Sequence, residues 1–146
     1  MKLISIVFSF KNEEKNIPEL INRTVKVLTQ INSWNYELIF VNDCSTDNSE
    51  QILIKLQNDH PITIINMSRN FGVGPCVMAG FKQAKGDAVV YMDSDLQDPP
   101  ELIKKLLEEH ENGSDVVHTI RTKRLGESNT KMFVTNLAYK IINFFS

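Results

Sequence analysis

The stretch VVYMDSDLQDPPELI, residues 89–103, sets Asp93, Asp95 and Asp98 directly behind a run of strand-forming apolar residues. Carboxylates this close repel one another unless a cation or a proton neutralises them. Asp93 and Asp95 are separated by one residue, so at the end of a strand both can turn toward the same point. Their hard oxygens suit magnesium or manganese, ions that keep open positions for substrate phosphates. The spacing alone leaves a second use open, in which Asp93 caps the strand and Asp95 and Asp98 cap the helix that follows.

Other polar groups fall in comparable places. Asp43, in FVNDCSTDNSE, ends an apolar run where an unpaired carboxylate would be costly. It can accept from the N–H edge of a uracil or guanine base, or it can form an Asx turn or helix cap. In FKNEE, Glu13 can accept from a ribose hydroxyl, or Asn12 and Glu13 can simply build a loop. Arg69, in SRNFGVG, stands beside glycines as a candidate phosphate contact or a solvated side chain. Gly72 and Gly74 make neither a G-x-G-x-x-G nor a Walker pattern, so dinucleotide and P-loop readings lack support. Cys44 and Cys76 show no C-x-x-C spacing and read as reduced thiols, and the histidines His60, His110 and His118 read as surface or loop residues.

The elements that must position these residues alternate. LISIVFSF is a β-branched and aromatic run, hence a strand ending near Lys11. Ile17, Leu20, Ile21, Val25 and Leu28 recur at helical spacing in the next segment, with Pro18 suited to a first turn. YELIFVND is a second strand, and STDNSEQILIKLQND a second helix with Ser, Asp and Asn capping candidates. ITIINMS, GPCVMAGFKQAK and AVVYMD continue as strand, helix and strand. PPELIKKLLEEHENG is a helix opened by prolines and closed by glycine, and SDVVHTI is expected to be a fifth strand. This alternation predicts an α/β domain, a mostly parallel sheet with helices on both faces. Asn12-Glu13, Asn42-Asp43 and Asp93-Ser94-Asp95 then all lie beyond the carboxyl ends of strands, the edge where such sheets bind ligands.

Composition narrows the function classes. The 146 residues suit one domain with a real core, at 42% hydrophobic and 23% charged. A formal net charge of −2 argues against a general nucleic-acid surface. No window approaches the roughly 18 apolar residues of a membrane span, and MKLISIVFSF reads as a first strand rather than a signal segment. The chain is expected to be cytoplasmic.

SFKNEE, FVNDCSTDNSE, SRNFGVGPCVMAGFKQAKGD and MDSDLQDPPELI occur in this order, each after a predicted strand. In that combination the chain resembles the family 2 glycosyltransferases over residues 3 to about 145. More narrowly it is similar to the polyprenyl-phosphate branch, which includes dolichol-phosphate mannose synthases and bactoprenol glucosyltransferases. DSDLQDPPE with SRNFG upstream is the most discriminating pair. The resemblance implies a GT-A (Rossmann-like) fold and sugar transfer, with inversion, from a UDP- or GDP-linked donor to a polyprenyl phosphate. It implies that Asp93 and Asp95 are the D-x-D pair, binding Mg2+ or Mn2+ and the diphosphate, with Gln97 beside them in the catalytic site. Ser9, Phe10, Asn12, Glu13, Asp43, Arg69, Asp93 and Ser94 would form the nucleotide pocket, and Arg121 would meet the acceptor phosphate. The family's first motif usually reads P-x-Y-N-E and here reads Ser9-Phe10-Lys11-Asn12-Glu13, with Lys11 in place of the aromatic residue, and Cys44 replaces a glycine after Asp43.

The nucleotide-binding domain is expected over residues 1–125, followed by an amphipathic helix over 126–146. There Phe133, Val134, Leu137, Ala138, Ile141, Phe144 and Phe145 share one side, while Lys131, Thr135, Asn136, Lys140 and Asn143 share the other. Such a helix packs on a core or lies on a membrane surface. Inverting transfer needs a general base or an acceptor phosphate that is already anionic, and the resemblance implies further functional motifs beyond this tail. The chain is therefore expected to be the N-terminal part of a longer enzyme or a short gene product, and alone to bind donor but transfer poorly or not at all. A longer enzyme would work at the cytoplasmic face of a membrane. The alternative is a non-catalytic module that keeps the fold and binds nucleotide, a partner or a membrane; Lys11 and Cys44 favour it and the D-x-D pair disfavours it. A receiver-type domain needs a phosphoacceptor after its third strand, and IINMS offers none.

Overall fold

A computed structural model describes residues 1–120. Met1–Asp115 form one compact unit. Its elements run β1 (Lys2–Phe10), α1 (Ile17–Leu28), β2 (Trp34–Asn42), α2 (Ser49–Leu56), β3 (Ile62–Asn66), α3 (Val73–Gln83), β4 (Ala88–Asp93) and α4 (Leu102–Glu111). The four strands make one parallel sheet in the order β3-β2-β1-β4. Pairing starts at β1 and moves outward through β2 to β3, then returns to the other side of β1 for β4. The crevice at the carboxyl ends of β1 and β4 is therefore the topological switch point, where open α/β sheets bind ligands.

Strand side chains alternate between faces, and the two faces are covered unequally. Ile4, Ile6, Phe8 and Phe10 of β1 point to the larger core, with Leu38 and Phe40 of β2 and Met92 of β4. Ile17, Leu20, Ile21 and Leu28 of α1 close over them, with Leu53 of α2 and Ile103 and Leu107 of α4. Each such buried aliphatic side chain contributes about 1.5–3 kcal/mol, which is why the helical spacing of α1 reads so clearly. Phe8 and Phe40 stack with ring centroids 4.8 Å apart. On the opposite face Val7, Ile39 and Val41 meet Cys76 of α3. Gly80 lets that helix sit close, because a Cβ there would lie 2.3 Å from Val7 Cγ1.

The expected elements need three corrections. SDVVHTI does not form the fifth strand: residues 115–120 have no regular structure. A strand is held by ladder hydrogen bonds to a neighbour, and none of these residues makes them among the described residues. The second helix starts at Ser49 rather than Ser45, because residues 45–48 are bonded across to the loop after β1. The paired prolines precede α4 rather than open it: Pro99 and Pro100 offer their carbonyls to the N–H groups of Leu102 and Ile103. The proposed boundary at 125, the helix over 126–146 and Arg121 lie outside the described residues. No helix among the described residues is long and apolar enough to cross a membrane.

Candidate functional site

Every loop at the carboxyl edge contains one residue with left-handed backbone. These are Asn12 (φ 58°) after β1, Cys44 (φ 61°) after β2, Gly72 (φ 84°) after β3 and Leu96 (φ 61°) after β4. For a residue with a Cβ this conformation costs roughly 1–2 kcal/mol, and such strain concentrates at functional sites. Cys44, the departure from the family's usual glycine, thus stands where glycine would be unstrained.

The loops after β1 and β2 are locked together. Asn12 Oδ1 accepts from the Thr46 N–H at 2.8 Å, while the Asn12 N–H donates to Ser45 Oγ at 3.0 Å. Glu14 accepts from the Asn48 N–H, and its own N–H donates to Asp47. The Glu13 N–H donates to Ser49 Oγ, and the Glu13 carboxylate takes a 2.6 Å bond from Asn16 Nδ2. Asn12 and Glu13, expected in the nucleotide pocket, therefore serve to tie the loops after β1 and β2 to each other.

Asp43 ties in the loop after β3. Its two oxygens accept from the Phe71 N–H at 2.7 Å and the Gly72 N–H at 3.0 Å. Burial pulls its pKa up, but these N–H bonds, the Cys76 thiol and the Lys11 charge outweigh that, and the carboxyl titrates below its usual range. The same contact works in reverse on Cys76, whose thiol is pushed up to about 11 by burial and by the Asp43 charge. Lys11 thus supplies positive charge near Asp43 where the family pattern has an aromatic ring. Arg69 stacks on Phe71, its guanidinium carbon 4.6 Å from the ring centroid, and both side chains are exposed.

The acidic turn lies at the switch point. Asp93 pairs in register with Ser9, so the turn leaves β4 beside the end of β1. Ser94 is buried and its hydroxyl donates to the Ser9 carbonyl at 2.9 Å. Asp95 Oδ1 accepts from the Gln97 N–H at 3.0 Å, an Asx-type turn. Asp95 is therefore partly a turn former, and it does not cap the helix that follows, because α4 begins at Leu102 with Glu101 at its N-cap. The sheet brings Ser9, Phe10, Asp93 and Ser94 to one place; Asn12, Glu13 and Asp43 lie at the ends of β1 and β2, and Arg69 in the β3–α3 loop.

A residue not picked out from the sequence stands in this cluster. The Tyr91 hydroxyl bonds Asp93 Oδ1 at 2.5 Å and Ser9 Oγ at 2.9 Å. Burial and the Asp93 carboxylate push its pKa up to about 12, against the lowering effect of the Ser9 bond. The available signal was the strand period: Tyr91 and Asp93, two apart, share a face.

No group of three or more His, Cys, Asp or Glu side chains among the described residues is arranged to hold a metal. The donor set expected from the sequence, Asp93 and Asp95, offers two carboxylates of hard oxygens. That chemistry fits magnesium or manganese, which take one or two carboxylates and complete their shell from phosphate and water.

Residues 5–145 match the model of glycosyl transferase family 2. The chain belongs to glycosyl transferase family 2. It is 44% identical over 124 residues to the undecaprenyl-phosphate 4-deoxy-4-formamido-L-arabinose transferase of Proteus mirabilis, covering 83% of this chain and 37% of that protein. Among solved structures, S. aureus TarS 1–349 in complex with UDP-GlcNAc superposes with a TM-score of 0.60 at 28% identity, over 84% of this chain and 39% of that one. A mannosyltransferase from Pyrobaculum calidifontis, in complex with GDP-Man and Mn2+, superposes with a TM-score of 0.57 at 20% identity, over 63% and 27%. The α/β sheet of this family 2 glycosyltransferase chain is thus of the GT-A kind. The chain spans between 36% and 44% of the length of the curated relatives it matches.

Proposed function

We propose that this chain is the donor-binding domain of an enzyme that moves a sugar from a nucleoside diphosphate to a polyprenyl phosphate. The observation that carries this reading is the acidic turn Asp93-Ser94-Asp95, held at the switch point by the Ser94 bond to Ser9. Family membership and the similarity to an undecaprenyl-phosphate sugar transferase support the reaction class.

In this reading Asp93 and Asp95 would hold a magnesium or manganese ion, which would supply positive charge to offset that of the departing diphosphate. The frame of Asn12, Glu13 and Asp43 borders the nucleoside, with Ser9 and Phe10 at the floor and Gln97 beside the acids. Arg69, stacked on exposed Phe71, offers its guanidinium to phosphate oxygens. An acceptor phosphate oxygen attacks the anomeric carbon from the face opposite the leaving group. The new carbon–oxygen bond forms with inversion as the bond to the diphosphate breaks. A phosphate acceptor is already anionic, so this attack needs no general base. Arg121 is our candidate for holding that acceptor, whose lipid tail places the reaction at a membrane surface.

Calorimetric titration tests the reading. UDP and GDP are each titrated with and without Mn2+ into the wild type and into Asp95→Ala. We expect one nucleotide to bind in a metal-dependent way and to lose ~10-fold or more of that affinity in the variant. If neither nucleotide binds under any of these conditions, the donor-binding assignment is wrong and the acids serve as turn formers.

A further inference from the structure

We propose that Tyr91 is the positioning residue of the acidic site, holding the Asp93 carboxylate in the orientation that binds the metal; this rests on the donor-binding reading above. Tyr91 and Asp93 project from the same face of β4, opposite to Met92, which is buried in the larger core. Ser9 lies beside them on β1, in register with Asp93.

Counting protons fixes the direction of the bonds. An ionised carboxylate only accepts, so the single phenolic proton of Tyr91 goes to Asp93 Oδ1, at 2.5 Å. Tyr91 then has only lone pairs to offer Ser9, so the Ser9 hydroxyl donates to it, at 2.9 Å. The chain runs from Ser9 through Tyr91 to Asp93, two hydroxyls polarised toward one carboxylate. A bond from a neutral hydroxyl to a carboxylate is among the stronger protein hydrogen bonds. It occupies Oδ1, while Oδ2 makes no hydrogen bond to any described residue.

The half-buried ring of Tyr91 packs against the cluster of Val7, Ile39, Val41 and Cys76, so the hydroxyl is carried on a fixed arm. Asp93 ends its strand, and its carboxylate would otherwise rotate freely about its side-chain bonds. Magnesium demands near-ideal octahedral geometry, and an ion held by only one or two carboxylates loses affinity when one of them can rotate away. Partners that orient a ligating group typically change metal affinity ~10–100-fold.

The test is direct metal binding, read by Mn2+ electron paramagnetic resonance at a fixed concentration of the nucleotide that binds, for the wild type, Tyr91→Phe and Ser9→Ala. Nucleotide affinity without metal is measured alongside by calorimetry. Tyr91→Phe keeps the ring and removes only the hydroxyl, so we expect Mn2+ affinity to fall ~10-fold or more while metal-free nucleotide affinity stays within about twofold. Ser9→Ala, which loosens the far end of the chain, should lower Mn2+ affinity by a smaller factor; it carries the test if Tyr91→Phe does not fold. A residue with only a packing role would move both affinities together or neither. Unchanged Mn2+ affinity in Tyr91→Phe, with a wild type that binds metal and nucleotide, overturns this inference and leaves the donor-binding reading standing. A wild type that binds no metal with nucleotide overturns both.

Discussion

The two edges of the sheet differ in backbone strain and in what their polar groups leave open. At the amino edge the polar groups close on one another, and among the described residues no non-glycine there has left-handed backbone. Glu37 Oε1 accepts from Ser5 Oγ at 2.6 Å and from the Lys85 N–H at 2.8 Å, and Ser5 Oγ in turn accepts from the Gly86 N–H. Leu3 and Asp87 exchange two bonds in the same region. Gly86 is enclosed there: a Cβ would lie 2.6 Å from the backbone of Ser5 and of Ala88. At the carboxyl edge the backbone is strained at Asn12, Cys44 and Leu96, and Asp93 keeps an oxygen without a described partner. One edge spends its polar groups on stability, and the other holds some in reserve at a cost. That division separates a residue's effect on folding from its effect on ligand binding.

The amino edge offers the larger break. Gly86→Ala should destabilise the fold by about 2–3 kcal/mol, because the methyl group meets backbone rather than a flexible side chain. Chemical denaturation measures that loss, and the folded variant should bind nucleotide with unchanged affinity. A drop in affinity without a loss of stability would erase the distinction between the edges. The smaller effect lies at the other edge and has the opposite sign. Cys44→Gly relieves left-handed strain of roughly 1–2 kcal/mol and returns part of it by making the unfolded chain more flexible. The net expectation is a gain of roughly 0.5–1 kcal/mol in denaturant unfolding. A loss of stability there would show that Cys44 makes a compensating contact and that the carboxyl edge is not strained as described.

Much of the fold was legible because its cause is local. The apolar periods of β1, β2, α1 and β4 report burial on one side or both. The fifth strand was misread for the same reason: VVHTI has strand composition, but a strand also needs a neighbour, and composition carries no record of one. The start of α2 was misread because its competitors are distant in sequence. Asn12 and Glu14 reach across to the N–H groups of Thr46 and Asn48, 34 residues on, and hold them out of the helix.

The candidate site divides along the same line. Asp93 and Asp95 were visible because the acids stand directly after a strand, and their place at the switch point follows from the topology. The bonds that hold Asp43 to Phe71 and Gly72 span nearly 30 residues and appear only in the folded chain. Tyr91 was within reach of the sequence, since strand alternation puts it on the face of Asp93. Its hydroxyl chain to Ser9 required the register of β1 against β4.

The central claim is that the carboxyl edge at β1 and β4 holds a metal-bound nucleoside diphosphate. The most direct measurement is paramagnetic broadening of backbone amide NMR signals by Mn2+ in the presence of UDP or GDP. We expect signals of Ser9, Phe10, Ser94, Asp95 and Gln97 to disappear first, with Leu3, Ser5, Lys85 and Gly86 remaining sharp. Broadening centred on the amino edge, or spread evenly over the domain, would contradict the account.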